Sequence, residues 1–194
     1  MKYDDRKMAG GFLFVGSVQF LLFLIIAESL YPGYSVSENY ISDLGVGTTS
    51  LVFNSSVFLL GVTVVAGAYF FQCAFDSKLL SILFAITGLG AMGVGLFPEN
   101  FGILHAVASL VTFLFGGLSA IMSYKLQSPP LSYFSVLLGV LSLAALALFG
   151  SSTYLGIGKG GMERMIAYPA LLWAVGFGSY LLSYSKKTGA ATKS

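Results

Sequence analysis

The chain holds few residues able to do chemistry, and they gather by position. Charged residues make up only 9% of it. Glu38, Ser42, Asp43, Asn54, Glu99, Asn100, His105, Tyr154, Glu163 and Arg164 sit at the ends of apolar stretches or in the breaks between them. An ionisable group inside or beside a membrane is costly to keep and is a site candidate by default. For any one of these residues a solvated helix end is the plainer reading, because a side chain there reaches water easily. The set points to a site. Ser42, Asp43, Asn54, Glu99, His105, Glu163 and Arg164 are the candidate ligand-binding residues, and His105, Asp43 and Glu163 the candidate catalytic groups.

Residue types narrow the chemistry. A zinc site needs three or four His, Cys or carboxylate ligands, and one histidine with the lone Cys73 does not supply them; no metal and no cofactor is expected. Whether oxygens of Asp43, Glu99 and Glu163 hold a hard cation stays open. A hydrolase drawn from Ser42, His105 and Asp43 suffers from the adjacency of Ser42 and Asp43 and from the lack of a G-x-S-x-G nucleophile elbow. Transport of ions or protons is disfavoured, since no Asp, Glu, Lys or Arg falls at mid-depth in any apolar stretch. Five acids on one side of the membrane, Glu28, Glu38, Asp43, Glu99 and Glu163, face two bases, Lys159 and Arg164. That balance favours a ligand with a cationic, metal-bound or hydroxyl-rich end, with His105 as the proton carrier. Arg164 is expected to pair with Asp43 or Glu99, since Glu163 precedes it directly and points elsewhere.

The elements that must position these groups are membrane helices. The mean hydropathy is +0.86, and a bilayer core about 30 Å thick needs roughly 20 apolar residues of helix. Six stretches meet that length: Met8–Ser29, Leu51–Phe71, Leu79–Leu96, Leu104–Tyr124, Leu131–Phe149 and Met165–Tyr184. The fold class is therefore an all-α integral membrane protein of six transmembrane helices in one domain over residues 1–194. The first stretch is too long for the apolar core of a signal peptide and reads as a retained helix. Pro- and Gly-bearing breaks such as Tyr31-Pro32-Gly33 and Ser128-Pro129-Pro130 separate the spans. Similar endings to spans four and six, Phe115-Gly116-Gly117-Leu118-Ser119 and Val175-Gly176-Phe177-Gly178-Ser179, suggest three hairpin repeats.

Basic residues sort by side. Lys2, Arg6, Lys7, Lys78, Lys125, Lys186, Lys187 and Lys193 fall on one side, and Lys159 and Arg164 on the other. The positive-inside rule then makes both termini cytoplasmic in a cell membrane. Steps of three and four place His105, Ser109, Thr112, Gly116 and Ala120 on one face of span four. Glu163, Ala167, Ala170, Ala174 and Gly178 share a face of span six, and Asn54, Val57, Gly61 and Ala68 one of span two. Small residues allow close helix approach, so these faces should point inward and carry their polar ends with them. The long first loop, Tyr31 to Ser50, is the only polar segment able to cover the resulting pocket.

Asn39-Tyr40-Ile41-Ser42-Asp43-Leu44-Gly45, Phe53-Asn54-Ser55-Ser56, Phe97-Pro98-Glu99, Leu104-His105-Ala106-Val107-Ala108 and the run Gly161 to Pro169 resemble the family called domain of unknown function 998. Its members are prokaryotic and archaeal multi-pass membrane proteins. The resemblance covers nearly all of the chain; it implies six membrane helices and marks Ser42, Asp43, Asn54, Glu99, His105, Glu163 and Arg164 as family-pattern positions, but implies no activity. The functional expectation is an outward-facing polar pocket that binds or processes an amphiphile such as a lipid headgroup. The alternative is a structural or interaction protein whose polar cluster only stabilises one end of the bundle. Expected partners are the lipid bilayer, a lipid or small amphiphilic ligand and, as an open alternative, a homo-oligomer. The net charge of +2 is too small and scattered for nucleic acid.

Overall fold

The computed structural model describes residues 4–183. Six helices are long and apolar enough to cross a membrane: α1 Asp5–Leu30, α2 Ser50–Phe75, α3 Lys78–Leu96, α4 Ile103–Met122, α5 Leu131–Gly150 and α6 Gly158–Ser183. The chain is an all-helical integral membrane protein, with no strand among the described residues. Tyr184 and the tail bases Lys2, Lys186, Lys187 and Lys193, which entered the span and side assignments, lie outside the described residues.

Each helix packs on its sequence neighbours, and α6 packs against α1, closing a ring. Glycines make the close approaches. A Cβ on Gly10 would stand 2.7 Å from the Gly178 carbonyl, and one on Gly178 2.8 Å from the Gly10 carbonyl. Lipid tails give no hydrophobic drive between helices, so such close packing has to hold them together. Asp4 caps α1 by accepting from the backbone of Arg6 at 3.1 Å. Pro169 sits inside α6 and leaves the Met165 carbonyl without its helical donor. On the next residue, Ser142 of α5 donates to the Ile166 carbonyl at 2.7 Å, bracing the loosened turn from a neighbouring helix.

One end of the ring carries residues 31–49, 97–102 and 151–157, here called the capped end. There, α6 begins at Gly158 and not at Met165. Gly158, Lys159, Gly160, Gly161, Glu163 and Arg164 read as loop because they are glycine or charged. The helix tolerates them because the glycines let the first loop lie directly on it, the Ser37 and Asn39 carbonyls occupying the space that Cβ atoms on Gly158 and Gly160 would need.

Candidate functional site

The first loop carries two 3-10 turns, Ser42–Gly45 and Gly47–Thr49, that pack on the bundle. Asp43 shapes its approach, accepting from Asn39 Nδ2 at 2.9 Å and from the Tyr40 amide at 3.0 Å. Asn54 of α2 donates to the Gly45 carbonyl at 2.9 Å, and Thr49 to that of Leu44 at 2.8 Å. A Cβ on Gly45 would meet Asn54 Oδ1 at 2.7 Å, so any larger residue there would have to displace the Asn54 amide. On the α6 side, Glu163 accepts the Ile41 amide.

Arg164 binds the loop more widely. Its Nη1 donates to the carbonyls of Val36 at 3.0 Å and Gly160 at 2.9 Å, and its Nη2 meets Glu28 Oε1 and the Tyr34 hydroxyl, both at 2.5 Å. Its ion-pair partner is thus Glu28, not Asp43 or Glu99. Ring closure brings the last turn of α1 beside the first turns of α6, a neighbourhood that the sequence does not reveal. Burial pushes the Tyr34 phenol up to about 12; it stays protonated, accepts from Arg164 and donates to the Tyr40 carbonyl at 3.0 Å.

The candidate residues divide between two spaces. Ser42, His105 and Glu163 line an internal cavity of about 110 Å³, together with small and apolar residues of α1, α2, α3, α4 and α6. Asp43 and Glu99 line a shallow depression on the capped surface with Tyr31, Val46 and Asn100. The Ser42–Gly45 turn stands between the two spaces, with Ser42 on one and Asp43 on the other. Asn54 and Arg164 line neither; Asn54 bonds the first loop, and Arg164 bonds that loop, Glu28 of α1 and the Gly160 carbonyl of α6. In the depression, burial raises the Glu99 carboxyl above the usual glutamate range, and the neighbouring Asp43 adds to the shift, against the pull of Ser42 and Lys159. Burial likewise raises Tyr40, which shares a hydrogen bond with Tyr154 and lies under Lys159 Nζ at 4.4 Å. Glu38 is exposed and bonded to Ser37. Among the described residues no group of three or more His, Cys, Asp or Glu is arranged to hold a metal ion.

The inward faces read from helical spacing line the cavity: His105, Ser109, Thr112 and Gly116 on α4, and Glu163, Ala167, Ala170 and Ala174 on α6. Their small side chains leave space instead of drawing helices together; a Cβ on Gly116 would find only Thr87 at 3.6 Å and Ala170 at 4.0 Å. From His105 to Ser119 the cavity follows α4 for about 20 Å of helix rise, down to Trp173 on α6. Its walls are almost wholly carbon, because the polar groups at its capped end bond to protein. His105 Nδ1 lies 2.8 Å from the Phe97 carbonyl and Nε2 lies 3.2 Å from Ser109 Oγ. Ser109, Glu28 and Tyr34 are the working residues absent from the candidate set. Ser109 left a signal in its spacing of four from the lone histidine and Glu28 in its charge at the end of an apolar stretch; Tyr34 left none.

No curated protein and no solved structure matches the chain. The family described as "Protein of unknown function (DUF998)" matches residues 14–180, most of the length, with the whole cap and every cavity-lining residue but Leu13, and the chain belongs to that family.

Proposed function

We propose that this membrane protein binds an amphiphile, holding its apolar chain in the bundle cavity and its polar end under the first loop. The observation that carries the reading is the cavity: a long, carbon-walled space that ends at Ser42, His105 and Glu163. A cavity walled mostly by carbon favours an apolar occupant. At the capped end, acceptors outnumber free cations, since Arg164 is committed to Glu28 and Lys159 to the Tyr40 ring. The preferred head therefore donates hydrogen bonds, as an ammonium or a hydroxyl group does. Asn54, which bonds the first loop, and Arg164, which ties that loop to α1 and α6, are read as holding the cap in place.

The test is saturable binding of a fluorescent long-chain alcohol to the purified full chain in detergent, with Ala170→Phe and Ala174→Phe as cavity-filling variants. Binding should weaken at least about tenfold in both, while thermal stability shows that they still fold. A probe that binds wild type and the filled variants equally overturns the proposal.

A further inference from the structure

Resting on that binding reading, we propose that Ser109 and His105 form a nucleophile and base pair that cleaves a carboxylic ester of the bound amphiphile. The tautomer follows from the contacts. A carbonyl only accepts, so His105 Nδ1 must carry the proton that bonds the Phe97 carbonyl at 2.8 Å. Nε2 is then a lone-pair acceptor, and the group facing it at 3.2 Å is the Ser109 hydroxyl, which must be the donor. This is the arrangement a base needs to take a proton from an attacking hydroxyl, with the base oriented by a third group. Here the orienting group is a backbone carbonyl, which fixes the ring without adding charge.

Ser109 also departs from the habit of its neighbours. Thr87, Thr112 and Ser179 each donate back to the carbonyl four residues earlier, at 2.8–2.9 Å, the usual way for a membrane helix to satisfy a hydroxyl. The Ser109 hydroxyl is instead turned to the imidazole, on the face that lines the cavity. Its depth suits an ester. It stands six residues into α4, about 9 Å from the helix start and one turn beyond His105 on the face that lines the cavity. That is the junction between head and tail, where an amphiphile carries its ester bond.

The reaction balances with water as the co-reactant. Ser109 Oγ forms a bond to the ester carbonyl carbon as its proton passes to His105 Nε2. The carbon–alkoxide bond then breaks, and the alcohol leaves with that proton. Water entering from the capped end attacks the acyl-serine, gives its proton to Nε2 and releases the acid as Ser109 recovers the proton.

The decisive experiment treats the purified full chain with a long-chain alkyl fluorophosphonate and maps the adduct by peptide mass spectrometry, beside saturable binding of the fluorescent long-chain alcohol. A covalent adduct on Ser109 is expected, absent in Ser109→Ala and formed at least about 100-fold more slowly in His105→Gln, within the range for loss of a general base. An unmodified Ser109 in a wild-type protein that still binds the alcohol makes the pair a structural hydrogen bond and overturns the catalytic proposal alone. If wild type is neither modified nor able to bind the alcohol, the binding reading falls with it. The wild-type adduct needs no variant to fold, so the result stands even if Ser109→Ala is unstable.

Discussion

Arg164 shows how a buried charge can be structural while sitting among candidate catalytic groups. It is 6% exposed, and its guanidinium spans α6, the end of α1 and the first loop through Glu28, Tyr34 and the Val36 and Asn39 carbonyls. Removing one partner of a buried ion pair leaves an uncompensated charge and costs about 3–5 kcal/mol. Arg164→Gln should destabilise by about that amount in chemical denaturation, and Arg164→Lys should not restore the loss, because an ammonium lacks the planar fork that reaches an acid and several carbonyls together. Near wild-type stability in Arg164→Lys would mean that charge alone is needed. At this scale the sequence was legible in kind and not in partnership. Charges in an apolar chain stand out, so Glu163 and Arg164 could be singled out. Which acid Arg164 meets depends on helix adjacency, and that is written in no local pattern.

Among the elements, hydrophobic length located all six helices, because a bilayer leaves little freedom in how long an apolar segment must be. The start of α6 escaped that criterion, as its first turns are glycines and charges that only make sense against the loop lying on them. Helical spacing likewise identified the inward faces of α4 and α6, but a small residue marks either a close contact or a space, and the alternatives look the same in sequence. The contact between α1 and α6 is the first kind. Ala at Gly10 or Gly178 would drive a Cβ into the opposite backbone, within 2.7–2.8 Å, and rigid backbone cannot yield as a side-chain tip does. Either substitution should cost about 1–3 kcal/mol, read as a lowered unfolding midpoint in detergent. Gly176, on the same helix with no atom within 4 Å of its would-be Cβ, is the control. Gly176→Ala should be neutral or stabilising by up to about 1 kcal/mol. Equal losses at Gly178 and Gly176 would show that the close approach to Gly10 is not what requires glycine on α6.

For the whole molecule the open question with the largest consequence is which side of the membrane the cap faces. The ring places residues 31–49, 97–102 and 151–157 at one end and both described termini at the other. We infer that the capped end faces out of the cytoplasm. Among the described residues the terminal end and its loops carry Arg6, Lys7, Lys78 and Lys125 against Lys159 and Arg164 at the capped end, and a Lys/Arg excess near span ends marks the cytoplasmic side. An outward cap would offer the cavity to amphiphiles of the outer leaflet or beyond; an inward cap would restrict it to molecules of the cytoplasmic face. Thr153 and Ser128 are exposed on loops at opposite ends, which makes them matched reporters once exposed Cys73 is replaced by Ser. In intact cells, a membrane-impermeant maleimide should label Thr153→Cys and leave Ser128→Cys unlabelled until the cells are opened. The reverse pattern would place the termini outside and turn the cap, with the Ser42, His105 and Glu163 end of the cavity, to the cytoplasmic face.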